Sequence, residues 1–178
     1  LEEAILKSDW EKVAELCGKE TEVAREPVLD LLKGHALLAL NQSNESLRLF
    51  ALQSGSKDLE AWRSWAEGFC SRNPSSPAAL YLKGDSCARL GRWQEAESLF
   101  RKALERAPSY YLARNALGVT HCAQRRLEEA EREFDKMVKE APAFFDGHIS
   151  KGSFLLLAHR PDDAVSSFGR AKNSTKDA

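Results

Sequence analysis

Pro77–Pro108 reads PAALYLKGDSCARLGRWQEAESLFRKALERAP, and the chain nearly repeats this stretch twice before residue 178. Leu80, Gly84 and Cys87 fall at i, i+4 and i+7, which is one face of a first helix. Ala96, Phe100 and Ala103 do the same on a second helix, after a turn at Leu90-Gly91-Arg92. The small residues Gly84 and Ala96 are expected to let two antiparallel helices approach closely, with Phe100 filling the space beside them. Pro108 ends the second helix, because proline cannot extend the hydrogen-bond ladder.

The register then repeats. Gly84, Gly118 and Gly152 are 34 residues apart, and so are Ala96, Ala130 and Ala164. Phe100, Phe134 and Phe168 keep the same step, as do Pro108 and Pro142. A large residue before Gly and Cys, then Ala, Phe, Ala and Pro at this period resembles the tetratricopeptide repeat. The resemblance implies an all-α, right-handed solenoid of antiparallel helix pairs, about 10–11 helices in this chain. Three regular repeats are expected at 77–110, 111–144 and 145–172, followed by a frayed polar tail at 173–178. There are departures from the family pattern. Lys83 and Lys151 stand where a large apolar residue is usual, and Arg114 and His148 where an aromatic or leucine is. The aliphatic stems of the lysines and the arginine are expected to cover apolar surface while their charges reach water.

Upstream the pattern is degenerate, over residues 1–72. Leu1–Lys7 reads as the tail of a helix whose start is missing and Ser8-Asp9-Trp10 as the cap of a second, with Trp10 placed after its turn as Trp93 is. Pro27 opens a further helix whose Leu31, Gly34 and Leu37 share a face, and Asn41–Asn44 makes a turn. Ser46, Leu47 and Phe50 form a weak copy of the Ala-x-x-x-Phe face. Asp58 is expected to cap a helix running to about Arg72, with Leu59, Trp62, Trp65, Ala66 and Phe69 apolar. It reads equally as a first or a second helix of a pair, and so near 58–72 one helix lacks a repeat partner. Asn73–Pro77 is the expected joint between two sub-arrays.

Composition narrows the function. With 26 basic and 27 acidic residues the net charge is −1, without the basic excess of a phosphate-gripping protein, so nucleic acid is not an expected partner. The longest apolar runs, Ala36–Leu40 and Phe154–Ala158, are too short to span a bilayer, and no secretory signal opens the chain. Cys17, Cys70, Cys87 and Cys122 are scattered on apolar faces with no C-x-x-C pair, which fits reduced, buried thiols and a cytoplasmic location. His35, His121, His148 and His159 share no metal-binding spacing, and no catalytic constellation is present. A non-enzymatic chain without cofactor or metal is expected.

In the resembling family the first helices line a concave groove. Carried onto this sequence, the resemblance puts Ala78, Tyr81, Asp85, Ala88 and Arg89, then Leu112, Asn115, Val119, Cys122 and Ala123, then Asp146, Ile149, Ser153, Leu156 and Leu157, along the groove in contact with a partner. The alternative for Asp85 and Arg89 is a mutual i, i+4 ion pair on an idle surface. The Lys/Asn clamp with which some family members hold a C-terminal carboxylate is absent, since Tyr81, Asp85, Ala116, Asp146 and Ser150 stand in its places. The expected function is protein interaction, with a peptide or partner segment held in the groove. Self-association through the array ends and a small chaperone role are the alternatives.

Overall fold

A computed structural model of the chain describes residues 1–21, 27–39 and 56–174. The expected turn at 41–44 and the weak face at Ser46, Leu47 and Phe50 lie outside them. Among the described residues there are ten helices and no strand. They are α1 (Glu2–Leu6), α2 (Trp10–Thr21), α3 (Pro27–Ala39), α4 (Ser56–Arg72), α5 (Pro77–Arg89), α6 (Trp93–Arg106), α7 (Tyr111–Ala123), α8 (Leu127–Glu140), α9 (Phe145–Leu157) and α10 (Pro161–Ser174). The chain divides into two compact units, Leu1–Arg92 and Trp93–Ala178.

The turns explain why the helices stop where they do. Gly91, Arg125 and His159 have φ of 73°, 61° and 58°, and they too are 34 residues apart. After each, a backbone amide reaches five residues back. Arg92 N–H donates to Cys87 O at 2.9 Å, Arg126 to His121 O at 2.9 Å, and Arg160 to Leu155 O at 2.8 Å. This left-handed residue with its long return bond closes a helix and frees the chain to reverse. The first hairpin uses the same device. Ser8 has φ 54° and Asp9 N–H donates to Ala4 O at 2.9 Å, so Trp10 opens α2 as Trp93 opens α6. Asp9 also caps α2, its carboxylate accepting from Lys12 N–H at 3.1 Å. Ser76 caps α5 in the same way through Ala79 N–H, and Pro77 sits in the first turn, where its missing amide has no partner to lose. Helix α4 begins at Ser56, two residues before the Asp58 cap that the sequence suggests.

In the first unit α2 packs on α3, and α4 packs on both α3 and α5. Ile5, Val13, Cys17, Leu31, Leu32, Trp62, Phe69 and Leu82 are buried there. Trp62, Trp65 and Phe69 stack in sequence, with ring centroids 5.3 and 5.1 Å apart, so half-buried Trp65 is held between two neighbours. Glu2 and Arg72 tie α1 to α4.

In the second unit each helix packs on the next. Ala130, Phe134, Met137, Phe154, Leu155 and Ala164 form its buried cluster. Gly84 and Ala96 fall in different units, and the glycine contacts described here are those of Gly118 and Gly152 within the second unit. A Cβ on Gly118 would stand 2.7–2.8 Å from the Phe134 ring, and one on Gly152 would run into Phe168. The glycine is opposed by the aromatic ring of the following helix, sixteen residues on, so it is the ring that occupies the missing side chain's space.

Polar links repeat at the same period. Glu97 pairs with Arg126, and Glu131 with Arg160, each 29 residues apart. Arg114 donates to Pro108 O at 2.6 Å, and His148 Nε2 lies 2.8 Å from Pro142 O, both bonds spanning six residues. Arg114 overturns one expectation. Its charge does not reach water, because the residue is 4% exposed and its guanidinium pairs with Glu133 at 3.2 Å and Glu140 at 3.6 Å. The loop carbonyl and the two carboxylates of α8 offer it more than solvent does at that depth. Lys151 is paired with Asp135 at 2.7 Å.

The ring contact gives a matched pair of expectations. Gly118→Ala drives a methyl into Phe134 and should cost about 1–3 kcal/mol, more than it gains in helix propensity. At Gly68 a Cβ would meet only the tip of Arg72 at 3.4 Å, so Gly68→Ala should stabilise by about 0.5–1 kcal/mol. Urea unfolding midpoints check both; a Gly118→Ala midpoint at or above the parent's would show that the seam is loose.

Candidate functional site

The helices α7 and α9 are first members of successive pairs, and their equivalent residues lie side by side in the second unit. Between them is a concavity of about 250 Å³, lined by Val119, Cys122, Ile149, Ser150, Ser153 and Leu157, with Phe134 and Phe154 also contributing. No lining residue carries a formal charge. Phe134 and Phe154 pack with centroids 5.6 Å apart, and both are nearly fully buried, so the floor is aromatic and apolar. The rim is open, with Val119 49% and Leu157 44% exposed. Burial pushes the Cys122 thiol up from its ordinary value. A space of this size takes about one large side chain rather than a small-molecule ligand, whose pockets run to about 300–1,000 Å³.

The residues that the family pattern assigns to the groove divide between the two units. In the second, Val119, Cys122, Ile149, Ser153 and Leu157 line the concavity. Asn115 stands one turn before Val119 on α7, half-buried, its Oδ1 enclosed without a hydrogen-bond donor. Leu112 and Asp146 are buried, at 6% exposure each. Ser150, one of the places of the family's absent clamp, lines it too, and Phe134 and Phe154 complete the lining although the family pattern does not assign them there. Phe134 is legible in the sequence as a core residue, which is no signal that it also floors an opening.

In the first unit Ala78 and Tyr81 are buried, and Tyr81, Asp85 and Arg89 belong to a polar network. Asp85 Oδ2 accepts from Arg89 Nε–H at 2.7 Å and from Trp62 Nε1–H at 3.1 Å, and lies 3.1 Å from His35 Nε2. His35 Nδ1 is 2.8 Å from the Tyr81 hydroxyl, and the Trp62 ring stacks on the imidazole at 5.5 Å. An ionised carboxylate can only accept, so His35 Nε2 carries the proton; in the neutral ring Nδ1 then accepts from Tyr81 O–H. The network joins α3, α4 and α5 across 46 and 50 residues of sequence. The i, i+4 ion pair between Asp85 and Arg89 is thus present, as part of a buried assembly. Burial raises the Asp85 pKa, but Arg89 and then His35 outweigh it and hold the carboxyl well below its usual range. Burial likewise pulls Arg89 down, and Asp85 outweighs it, so its pKa lies above the ordinary value.

A second concavity of about 200 Å³ lies among α8, α9 and α10. Its charges compensate one another. Lys151 pairs with Asp135, and Arg160 with both Glu131 and Asp163. Among the described residues no group of three His, Cys, Asp or Glu side chains converges as a metal site. No described helix is long and apolar enough to cross a membrane.

Because the Asp85 pKa is depressed in the folded state, its contribution to stability is complete above 3.8, its ordinary value, and falls away as pH drops below that. Asp85→Asn should cost on the order of 3 kcal/mol at pH 7, and the gap from the parent should narrow as the pH falls below about 4. Urea midpoints at several pH values read this directly; a pH-independent gap would place the charge elsewhere. The cysteines are all free, with Cys17, Cys70 and Cys87 buried and Cys122 half-buried. A thiol-reagent titration should therefore find Cys122 reacting first in the folded protein and four thiols after denaturation without reductant. Fewer than four would reveal a disulfide.

Known proteins agree with this architecture. The family model described as tetratricopeptide repeat matches residues 31–111 and 89–143. No curated protein sequence matches the chain. Among solved structures, a crystal structure of MamA is 17% identical with a TM-score of 0.55, over 98% of this chain and 94% of that one. MamA 41-end from Desulfovibrio magneticus RS-1 is 14% identical with a TM-score of 0.56, over 97% of this chain and 96% of that one. At such identities the likeness is one of fold alone. The family match, running over residues 31–143, covers more than half of the sequence, and the chain belongs to the tetratricopeptide repeat family.

Proposed function

We propose that the chain is a non-enzymatic protein-interaction module that holds a peptide segment of a protein partner in the concavity between α7 and α9. Tetratricopeptide repeat arrays serve in general as protein–protein interaction scaffolds, so a protein partner is what the fold implies. The observation that carries the finer reading is the uncharged, apolar opening with a buried aromatic floor and exposed Val119 and Leu157 at its rim. The repeats would be 77–110, 111–144 and 145–172, with first helices supplying the wall. Free, mostly buried cysteines suit a reducing compartment such as the cytoplasm.

A groove of this kind selects an apolar side chain and leaves the ligand backbone to nearby polar groups. Ser150 and Ser153 line it, and Asn115 Oδ1 lies one turn away without a donor. An extended or helical segment that offers one large aliphatic or aromatic anchor fits that chemistry better than an acidic tail.

The test begins with a random peptide library displayed on phage and selected against the whole chain. Enriched sequences should share a large apolar residue. Val119→Asp and Ile149→Asp should each weaken the best synthetic peptide by more than about tenfold, since truncating a buried anchor commonly costs over 1 kcal/mol. Arg132→Ala, on the exposed face of α8, should leave it unchanged. Peptides that enrich and bind equally to Val119→Asp and Ile149→Asp would mean that the partner uses another face.

A further inference from the structure

The turn after α7 holds a residue that the fold does not require. One repeat earlier the equivalent residue is Gly91, whose φ of 73° suits a glycine. Arg125 takes the same left-handed conformation at φ 61°, where a side chain is strained. No contact within the chain explains it. Arg125 is exposed, and among the described residues its guanidinium makes no ion pair. Its basic neighbours are already matched, Arg126 with Glu97 and Arg160 with Glu131 and Asp163. Backbone strain in an exposed residue that serves no internal contact points to a use outside the chain.

The position of Arg125 narrows that use. Its N–H donates to Cys122 O at 3.0 Å, and Cys122 lines the α7–α9 concavity together with Val119 one turn before it. Three residues of helix span about 4.5 Å, so a cation stands beside the C-terminal end of an opening whose lining carries no charge. At the other end the formal charge is negative, since Asp146 lies one turn before Ile149 on α9 and is 6% exposed. The opening therefore has a polarity, and a carboxylate beside it is favoured at one end only.

We infer that the partner segment carries an Asp or Glu side chain two or three residues from its apolar anchor, and that this carboxylate pairs with Arg125. The inference rests on the peptide-binding reading of the concavity and adds a charge and a direction to it. The acid is a side chain and not a chain terminus, because a terminal carboxylate is held by several converging donors and here one arginine stands alone. An extended segment advances about 3.3 Å per residue, so two or three residues carry from the opening to the turn. An exposed ion pair adds little affinity, and this one chiefly fixes which way the segment runs.

The test uses the peptides that phage selection against the whole chain enriches, resynthesised with free and with amidated C-termini. Their apolar residue should be accompanied by Asp or Glu at a fixed offset on one side. Replacing that acid by its amide should weaken binding to the parent about three- to fivefold at low salt, and the loss should shrink in about 0.5 M salt. Arg125→Gln should bind the acid and amide peptides equally, and Arg125→Glu should prefer a peptide with lysine at that place. Amidating the C-terminus should change nothing. Without ligand, Arg125→Gly should keep or raise the urea midpoint, because glycine takes that φ without strain. The pairing is overturned by peptides without an acid at a fixed offset, by an acid-to-amide loss as large on Arg125→Gln as on the parent, or by affinity lost on amidation. In those cases sensitivity to Val119→Asp and Ile149→Asp still upholds the groove. A midpoint lowered by Arg125→Gly would overturn it too, by giving the arginine a structural role at the negative end of α7. Peptides indifferent to Val119→Asp and Ile149→Asp, or a selection that enriches none, would count against the groove and this inference together.

Discussion

Two helices can sit close only where one of them gives up a side chain. In the second unit the residue given up is a glycine, and what enters its space is a phenylalanine ring from the next helix. Phe134 lies where Gly118 would carry a Cβ, and Phe168 where Gly152 would. The contact is tight enough that a methyl group has no room, so it fixes both how near the helices come and where along their length they cross. Most of the unit follows from that distance. The buried alanines at 130 and 164 are small because the helices are close, and Phe134, once seated against Gly118, presents its far side to Phe154 of the following pair. The apolar floor of the α7–α9 concavity is therefore a by-product of the seam.

The turns make the spacing repeat. A left-handed residue at Gly91, Arg125 and His159, with its long return bond, closes the preceding helix at the same point each time, and within the second unit Arg125 and His159 let the chain reverse within three residues. Arg125 and His159 adopt there a conformation that glycine accepts freely, at a cost of about 1–2 kcal/mol for another L-residue. The hydrogen bonds that flank them and the helix packing on either side hold that geometry. The Glu97–Arg126 and Glu131–Arg160 pairs then fasten each second helix to the turn one repeat further on.

The two units spend their polar groups differently. In the first, Asp85 gathers Arg89, Trp62 and His35, and His35 reaches Tyr81, so the side chains that might have met a ligand are absorbed into joining three helices. In the second, the wall between α7 and α9 carries no charge and keeps Val119 and Leu157 open to solvent. An uncharged surface over a buried aromatic floor, with Ser150 and Ser153 beside it, is what the proposed apolar anchor rests on, whereas the network around Asp85 would have to be dismantled to admit one.

Local signals were enough to read the helices. Proline and glycine act through the backbone where they stand, and the 3.6-residue period of apolar side chains needs no distant partner, so the 34-residue register and most helix limits from Pro77 onward are legible in the sequence alone. Trp10 as the counterpart of Trp93 belongs to the same class, whereas Val119, Ile149 and Ser153, which line the concavity between α7 and α9, were marked only by the family resemblance. What the sequence could not settle depended on residues far away in the chain. The fate of Tyr81 turns on His35, 46 positions earlier, and that of Arg114 on the carboxylates of Glu133 and Glu140. A repeat pattern marks where a side chain starts; only the packed neighbours decide whether it ends in solvent, in an ion pair or against a ring. The start of α4 at Ser56, the ring facing each glycine and the floor beneath Val119 were settled in that way, by contacts that no local spacing encodes.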